Sequence, residues 1–306
     1  MYDIIIIGGG SAGLSAAIYA TRGGMKTLIL EKLACGGQAS RTYEIENYPG
    51  FTQGPSGPEL MAQFEIHARK FGAEIKSEAV REIVDIDKDI KTVKTRKGEY
   101  KTRTIIFATG ANPKKLGVEG EAEFAGAGVS YCATCDGAFF SGSDVVVIGG
   151  GNTAFEDALY LSRFCEHVFI MNRSKRFRAS DILVKQAEQN PKITIYTDMV
   201  SEKFEGNMKL ERVLASNVLT GEKGFINAAG VIIAIGIEPE NTLARKCGIE
   251  LCEKGFIKTD MYLSTNINGV FAAGDCRVSP LRQVVTAAAD GAVAATSAIN
   301  YILKSE

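Results

Sequence analysis

The stretch that decides the fold is DIIIIGGGSAGLSAAIYATRGGMKTLILE, residues 3–31. Four isoleucines lead into Gly8, Gly10 and Gly13, which take the first, third and sixth positions of a dinucleotide-binding fingerprint. Apolar positions with helical spacing follow the last glycine, and a second apolar run ends the stretch. In such a turn a pyrophosphate rests on the helix N-terminus, where a side chain would collide with it. We therefore predict a strand, a tight turn, a helix and a second strand that bind a dinucleotide.

The same pattern recurs as VVVIGGGNTA, residues 145–154, with alanine at the permitted last position. A lone match is weak, because a glycine-rich turn gives the same letters. Here both copies lie between an apolar run and a helix-spaced run. Both are also followed by a second strand, which ends at the same offset, at Glu31 in one copy and Asn172 in the other. This shared register indicates two homologous nucleotide-binding modules.

The residue at that offset predicts what each module binds. Glu31 is acidic and is placed to accept hydrogen bonds from a ribose with free hydroxyls, as in FAD or NAD. Asn172 is uncharged and begins a basic segment that runs to Arg178. A basic cluster attracts a ribose 2′-phosphate, whereas a carboxylate would repel it. The sequence therefore predicts FAD in the first module and NADPH in the second, against the alternative that the basic segment is only a solvated loop.

Composition fits a two-domain α/β enzyme. The chain has 306 residues with a net charge of −1, so no large basic surface predicts nucleic acid or anionic lipid as a partner. No segment is long and apolar enough to span a bilayer, and the N-terminus lacks the positive region of a signal peptide. Seven scattered cysteines do not resemble a secreted disulfide framework. We expect a cytoplasmic protein.

The predicted fold is α/β, with two Rossmann-like, three-layer nucleotide-binding domains, the second inserted in the first. Residues 1–113 and 242–306 are predicted to form a discontinuous FAD-binding domain. Residues 114–241 are predicted to form the NAD(P)H-binding domain, joined by linkers near Pro113 and Pro239. The last stretch has no fingerprint of its own and is expected to complete the first domain.

The second domain also carries Cys132-Ala133-Thr134-Cys135, just before its fingerprint strand. Two cysteines at this spacing close a small disulfide ring, and a nearby helix N-terminus lowers a thiol pKa, so we predict a redox pair. The alternatives are two ordinary buried cysteines or half of a zinc site. A zinc site needs four ligands, and the only histidines that could add to the pair are His67 and His167. Asp136 follows at once and is the candidate general acid, with a helix N-cap as the alternative.

Taken together, the motifs resemble those of the low-molecular-weight bacterial or archaeal thioredoxin reductases over essentially the whole chain. They occur in the order of that family, as the two fingerprints, Gly36-Gly37-Gln38, Asn47-Tyr48-Pro49-Gly50, Ala108-Thr109-Gly110, Cys132 to Asp136, Gly274-Asp275 and Arg282-Gln283-Val284. The resemblance implies a homodimeric FAD enzyme that passes electrons from NADPH through the flavin and the cysteine pair to the disulfide of thioredoxin. No metal site is predicted, because the chain has no second paired ligand motif.

The resemblance also implies roles for single residues. Asp275 corresponds to the residue that holds the flavin ribitol, Cys135 to the sulfur nearer the flavin, and Cys132 to the sulfur that attacks thioredoxin. The predicted FAD-binding residues are Gly8, Gly10, Ser11, Ala12, Gly13, Glu31, Gly36, Gly37, Gln38, Asn47, Ala108, Thr109, Gly110, Gly274, Asp275, Arg282, Gln283 and Val284. The predicted NADPH-binding residues are Gly149, Gly151, Asn152, Thr153, Ala154, Asn172, Arg173, Ser174 and Arg178.

One departure from the family pattern keeps alternatives open. Where the family reads His-Arg-Arg-x-x-x-Arg, this chain reads Asn172-Arg173-Ser174-Lys175-Arg176-Phe177-Arg178, so one histidine and one arginine are replaced. NADH, ferredoxin or a deazaflavin are the alternative donors, and a peroxiredoxin or a glutaredoxin-like protein is the alternative acceptor. A flavin-bound redox sensor without turnover is a more remote alternative.

Overall fold

The computed structural model describes residues 1–42 and 44–304. It divides into two compact units, Met1–Asn112 with Glu238–Glu306 and Pro113–Ile237. The predicted α/β class, with one Rossmann-like module inserted in another, is confirmed. The chain crosses between the units at 112/113 and 237/238, where the sequence-based division was 113/114 and 241/242. Both crossings fall within short strands that end at a proline, a residue that cannot donate to a sheet ladder.

The strands and helices are numbered along the chain. The strands are β1 Tyr2–Ile7, β2 Thr27–Glu31, β3 Glu74–Ser77, β4 Glu82–Val84, β5 Lys91–Lys94, β6 Glu99–Phe107, β7 Ala111–Pro113, β8 Val129–Ser130, β9 Val145–Ile148, β10 Val168–Met171, β11 Ile193–Tyr196, β12 Met199–Gly206, β13 Leu210–Asn217, β14 Lys223–Asn227, β15 Gly230–Ile233, β16 Ile237–Pro239 and β17 Val270–Ala272. The α-helices are α1 Ser11–Arg22, α2 Gly57–Lys70, α3 Ala133–Asp136, α4 Asn152–Leu161, α5 Asp181–Glu188, α6 Thr242–Lys246 and α7 Val284–Lys304. Strands β7 and β16, which contain the two crossings, pair with each other.

The main sheet of the first unit has the order β3-β2-β1-β6-β5-β4, and β17 also pairs with β6. Strands β3, β2, β1, β6 and β17 are parallel, whereas β4 and β5 pair antiparallel. Strand β1 is central, and its isoleucines alternate between two cores. Ile4 and Ile6 pack on one face of the sheet, Ile5 and Ile7 on the other. Burial of both faces explains why the sequence shows a continuous apolar run.

Helices α1 and α7 pack closely in the first unit. Gly291 lies so near α1 that a Cβ added to it would be 2.1 Å from the carbonyl oxygen of Ala12. Alanines of α7, among them Ala294 and Ala298, are fully buried in the same core. Small residues therefore bring the C-terminal helix onto the fingerprint helix. None of the helices within 1–42 and 44–304 is both long and apolar enough to cross a membrane.

The second unit contains a five-stranded parallel sheet in the order β11-β10-β9-β15-β8. A separate antiparallel sheet, β12-β13-β14, belongs to the same unit. Strand β8 leads into the cysteine segment and β9 leads into the second fingerprint turn. Because the carboxyl ends of parallel strands lie at one edge of a sheet, both features are at the same edge.

Candidate active site

The first fingerprint turn fits a dinucleotide. Gly8 has φ +110°, and a Cβ on it would lie 2.3 Å from the carbonyl oxygen of Ala108. A Cβ on Gly13 would lie 1.9 Å from the carbonyl oxygen of Gly8, so this position must be glycine for helix and strand to pack. At Gly10 the nearest protein atom would be the Cα of Gly37, 3.9 Å away. The space above the start of α1 is therefore open at the position where the fingerprint receives a pyrophosphate.

Glu31 is placed at this turn and also shapes it. Its Oε2 accepts a hydrogen bond of 2.7 Å from the backbone N–H of Gly9, and its Oε1 accepts one of 3.0 Å from Leu33. Each carboxylate oxygen can accept a further bond. The ribose contact predicted for Glu31 therefore stays a prediction that this geometry permits.

A cavity of about 250 Å³ in the first unit opens beside Glu31. Its lining residues are Ile7, Gly8, Leu30, Glu31, Lys32, Ala79, Val80, Arg81, Thr109, Glu240, Thr242, Leu243 and Lys246. The segment 79–81 and the three residues from α6 were not predicted to line a site. The segment 79–81 was detectable in principle, because it follows β3 at the carboxyl edge of the sheet.

A polar cluster in the first unit surrounds Asp275. Burial raises the pKa of the Asp275 carboxyl to about 6, while Arg282 opposes the shift and Asp290 adds to it. Asp290 accepts a bond of 3.0 Å from the backbone N–H of Gly274 and pairs with Arg277 through two bonds of 2.7 and 2.6 Å. Asp290 and Arg277 were not predicted, and they hold the Gly274-Asp275 turn in place.

The residues present fit a flavin. Arg282 has its guanidinium 4.4 Å from the ring centre of Phe256, yet its Nε is buried without a hydrogen-bond partner in the described part of the chain. A buried donor without a partner points to an acceptor supplied from outside the protein. Asn47 Nδ2 donates to Gln283 Oε1 at 3.0 Å, which brings together two residues that are 236 positions apart.

The remaining predicted FAD-binding residues lie around the same turn. The backbone N–H of Gly36 donates to the carbonyl of Gly9 at 2.8 Å, and Gln38 Nε2 donates to Asn112 Oδ1 at 2.6 Å. Ser11 and Ala12 begin α1, Val284 begins α7, and Thr109 and Gly110 follow β6. Their contacts with FAD stay predictions.

The second fingerprint turn has the same form. Gly149 has φ +153°, and a Cβ on it would lie 2.5 Å from the carbonyl oxygen of Ala234. A Cβ on Gly151 would meet no atom of the described residues within 4 Å, so this position is open to a ligand. Asn152, Thr153 and Ala154 form the first turn of α4.

The basic loop that follows β10 is anchored by its own backbone and by one aromatic ring. Asn172 is buried, and its amide donates to the carbonyls of Ser174 at 2.6 Å and Arg176 at 3.3 Å. Arg178 donates its backbone N–H to Gly150 at 2.7 Å, and Phe177 packs against Phe155 with ring centres 5.1 Å apart. Asn172 thus organises the loop, and its predicted contact with NADPH stays a prediction.

This anchoring leaves the charges of the loop free. The side chains of Arg173, Lys175, Arg176 and Arg178 are exposed. Within 1–42 and 44–304, no ion pair engages them. Four unpaired cations beside an open fingerprint turn fit a nucleotide that carries an additional phosphate.

Cys132 and Cys135 form a disulfide, with their Cα atoms 5.3 Å apart. Cys132 is the N-cap of α3, and both cysteines are half-buried. The other cysteines are free thiols, at positions 35, 165, 247, 252 and 276. In the described residues no group of three or more His, Cys, Asp or Glu side chains is placed to hold a metal ion.

Asp136 lies in the same short turn. Burial raises the pKa of its carboxyl, and a hydrogen bond from the Ser130 hydroxyl to Oδ2 opposes the shift. Asp136 is the N-cap residue of the 3-10 turn Gly137–Phe140, but in the described part of the chain its side chain makes no capping hydrogen bond. A half-buried acid with a raised pKa, one residue after a disulfide, is suited to deliver a proton.

Comparisons with known proteins agree with this geometry. The pyridine nucleotide-disulphide oxidoreductase family matches residues 2–291. The chain is 44% identical to the thioredoxin reductase of Bacillus subtilis (strain 168) over 303 residues, 99% of this chain and 95% of the relative. The crystal structure of thioredoxin reductase from Streptococcus pyogenes MGAS5005 superposes with a TM-score of 0.94 at 41% identity, covering 99% of both chains. The thioredoxin reductase from Giardia duodenalis gives a TM-score of 0.93 at 35% identity, again covering 99% of both chains. The chain therefore belongs to the pyridine nucleotide-disulphide oxidoreductase family and, within it, to the thioredoxin reductases.

Proposed function

We propose that this chain reduces the disulfide of a thioredoxin or thioredoxin-like protein with electrons from NADPH. The family implies a flavin and a nicotinamide nucleotide, and we assign FAD to the first unit and NADPH to the second. The observation that carries the proposal is the Cys132–Cys135 disulfide, at the sheet edge that also carries the second fingerprint. We further propose a homodimer that works in the cytoplasm, where five free thiols suit a reducing compartment.

Two cradles would hold the cofactors. Gly8, Gly10, Glu31, Asp275 and Arg282 would surround FAD, and the fingerprint turn at Gly149 with the basic loop would hold NADPH. A bound flavin accepts a hydride from a nicotinamide and passes two electrons to a disulfide. What the chain adds is orientation of both nucleotides, a reducible disulfide and a proton donor.

The thiol chemistry balances with the residues of this turn. Reduction of the Cys132–Cys135 bond takes two electrons and two protons, and gives two thiols. The Cys132 thiol loses its proton to solvent, and the thiolate attacks one sulfur of the thioredoxin disulfide, forms a mixed disulfide and releases a thioredoxin thiolate, which takes a proton from Asp136. The Cys135 thiol then gives its proton to the Asp136 carboxylate and, as the thiolate, attacks the Cys132 sulfur, which restores the Cys132–Cys135 disulfide. The second thioredoxin thiolate leaves with a proton from Asp136, and solvent returns one proton to the Asp136 carboxylate.

The experiment that tests the donor is anaerobic bleaching of the flavin absorbance by NADPH, NADH or reduced ferredoxin, each added separately. We expect fast bleaching by NADPH and slower bleaching by NADH, because the four loop cations favour the 2′-phosphate. Arg178→Gln should weaken NADPH binding by about 10-fold or more and leave NADH binding unchanged. Arg163→Gln is the matched control, since Arg163 is an exposed arginine of the same unit outside the loop. Equal rates with NADH would contradict the NADPH assignment, and bleaching by ferredoxin alone would contradict any nicotinamide donor.

A second prediction concerns Asp136 and pH. A carboxyl with a raised pKa is protonated below that pKa, so the rate of thiol–disulfide exchange should fall as pH rises through it. Asp136→Asn should lower the rate by about 10²–10⁴-fold and remove this limb of the pH profile. The measurement is single-turnover oxidation of the reduced protein by thioredoxin disulfide between pH 5 and 9. An asparagine variant with the wild-type rate and profile would exclude Asp136 as the proton donor.

A further inference from the structure

Ser130 ends β8 and lies two residues before Cys132. Its side chain is buried, at 5% relative exposure, and its hydroxyl joins both ends of the turn that carries the disulfide. The hydroxyl donates to Asp136 Oδ2 and accepts the backbone N–H of Cys132 at 3.1 Å. The carbonyl oxygen of Cys132 is a further acceptor at 3.4 Å. Because one hydroxyl has one proton, and the contact with Asp136 Oδ2 is shorter than the 3.4 Å contact with the Cys132 carbonyl, the hydroxyl donates to Asp136.

We propose that Ser130 is a positioning residue for thiol–disulfide exchange. Its hydroxyl fixes the Asp136 carboxyl beside the cysteine pair, and it stabilises the carboxylate that forms when Asp136 gives up its proton. The inference rests on the proton-donor role proposed for Asp136. The role of this serine is argued from its contacts with Asp136 and Cys132.

The chemical reason lies in the proton-transfer step. The attack of the Cys132 thiolate forms one S–S bond and breaks another, and the leaving thiolate takes the proton of Asp136. The product is a half-buried carboxylate, which desolvation alone would destabilise. A hydrogen bond donated by Ser130 becomes charge-assisted at this moment, so it is stronger after the transfer than before.

Few other groups act on this carboxyl. The pKa of Asp136 is raised by burial and lowered by the Ser130 hydroxyl, and no charged group of the described residues shifts it further. The titratable side chains of helix α4, which packs against α3, are Glu156, Asp157 and Tyr160. Beside the turn, the hydroxyl of Tyr131 donates a hydrogen bond of 2.7 Å to Glu121. Strand β15 and the turn Gly137–Phe140 carry no titratable side chain. In the reduced protein the two thiols of the pair also titrate.

The test uses three serine variants of the flavin-loaded protein. Ser130→Ala removes the hydroxyl, and Ser130→Thr retains it. Ser162→Ala is the matched control, because Ser162 is another buried serine of the second unit, with its hydroxyl bonded to the carbonyl of Leu159 at 2.9 Å. Two readouts are taken, the infrared carboxyl band of Asp136, assigned by its loss in Asp136→Asn, and the pH profile of exchange with hydroxyethyl disulfide. Circular dichroism confirms that each variant is folded.

In Ser130→Ala we expect the Asp136 titration midpoint to rise by roughly one to two pH units. The alkaline limb of the rate profile should move with it, and the plateau should fall several-fold because a weaker acid transfers its proton more slowly. Ser130→Thr should restore both readouts, and Ser162→Ala should leave both unchanged.

The outcomes separate this inference from the function it rests on. If Asp136→Asn keeps the wild-type profile, the proton-donor role of Asp136 fails. In a second outcome, Asp136→Asn loses the alkaline limb of the rate profile while Ser130→Ala keeps both that limb and the titration midpoint of Asp136 at their wild-type positions. This result would overturn the role of Ser130 alone. A folded Ser130→Thr that behaves like alanine would likewise exclude the hydroxyl as the cause.

Discussion

Cys135→Ser and Cys132→Ser are each expected to abolish thioredoxin reduction, with a loss on the order of 10³-fold or more. The exchange requires one sulfur to attack and a second to resolve the mixed disulfide, so neither cysteine can replace the pair. Reduction of the flavin by NADPH should persist in both variants, because hydride transfer uses neither sulfur. Steady-state turnover with thioredoxin and single-turnover bleaching of the flavin measure the two steps separately.

The two variants should also differ from each other. Cys135→Ser keeps the proposed attacking sulfur and lacks the resolving one. It should therefore form a persistent mixed disulfide with a thioredoxin variant that keeps a single active-site cysteine. The sulfur of that cysteine is supplied in an activated disulfide, which the Cys132 sulfur attacks. Cys132→Ser should form little of this adduct, as seen on non-reducing gels. The opposite pattern would reverse the proposed roles of the two sulfurs.

Cys252→Ser is the matched control for both variants. Cys252 is a free, half-buried thiol of the first unit and lies outside the cavity beside Glu31. Its replacement should leave turnover unchanged. Substantial thioredoxin reduction by either variant of the pair would exclude the disulfide as the route to thioredoxin.

Local patterns predicted most of the fold, because the features that set it are close in sequence. The run Ile4–Ile7 is buried on both faces, and Gly8 directly after it has φ +110°, a conformation that favours glycine. The Cys132–Cys135 pair was readable for the same reason, since both sulfurs belong to one turn. The sequence-based boundary after residue 241 lies four residues beyond the crossing at 237/238, which falls in β16, a strand that pairs with the distant β7.

The supporting residues of the site could not be read from the sequence. Asp290 fixes the Gly274-Asp275 turn from the first half of α7, where it looks like one more polar helix residue. Ser130 contacts Asp136 only because β8 ends and a helical turn begins between them. The contact of Asn172 with the nucleotide stays a prediction, and the bond from its amide to the backbone of its own loop was not predicted. Such contacts depend on backbone paths that no short motif records.

Gly151→Val and Gly10→Val are expected to separate the two nucleotide sites. Gly151 has φ −101° and Gly10 has φ −78°, so valine is allowed at both without left-handed strain. Among the residues that the structure describes, no atom would lie closer than 3.9 Å to an added Cβ at either position. The new side chain therefore enters space that is open in the protein and that the fingerprint gives to a pyrophosphate.

Gly151→Val should keep its flavin and weaken NADPH binding on the order of 100-fold, whereas Gly10→Val should be purified largely without flavin. Flavin content is read from absorbance, and NADPH affinity from titration calorimetry. Gly224→Val on β14 is the matched control, because a Cβ there also meets no protein atom within 4 Å, and no ligand is assigned to that strand. Loss of flavin from Gly151→Val, or loss of NADPH binding without loss of flavin from Gly10→Val, would reverse the assignment of the two fingerprints. The expected result is weaker NADPH binding in Gly151→Val and loss of flavin from Gly10→Val. This result would tie each fingerprint to one nucleotide, because the two substitutions share their chemistry and differ only in the turn that receives them.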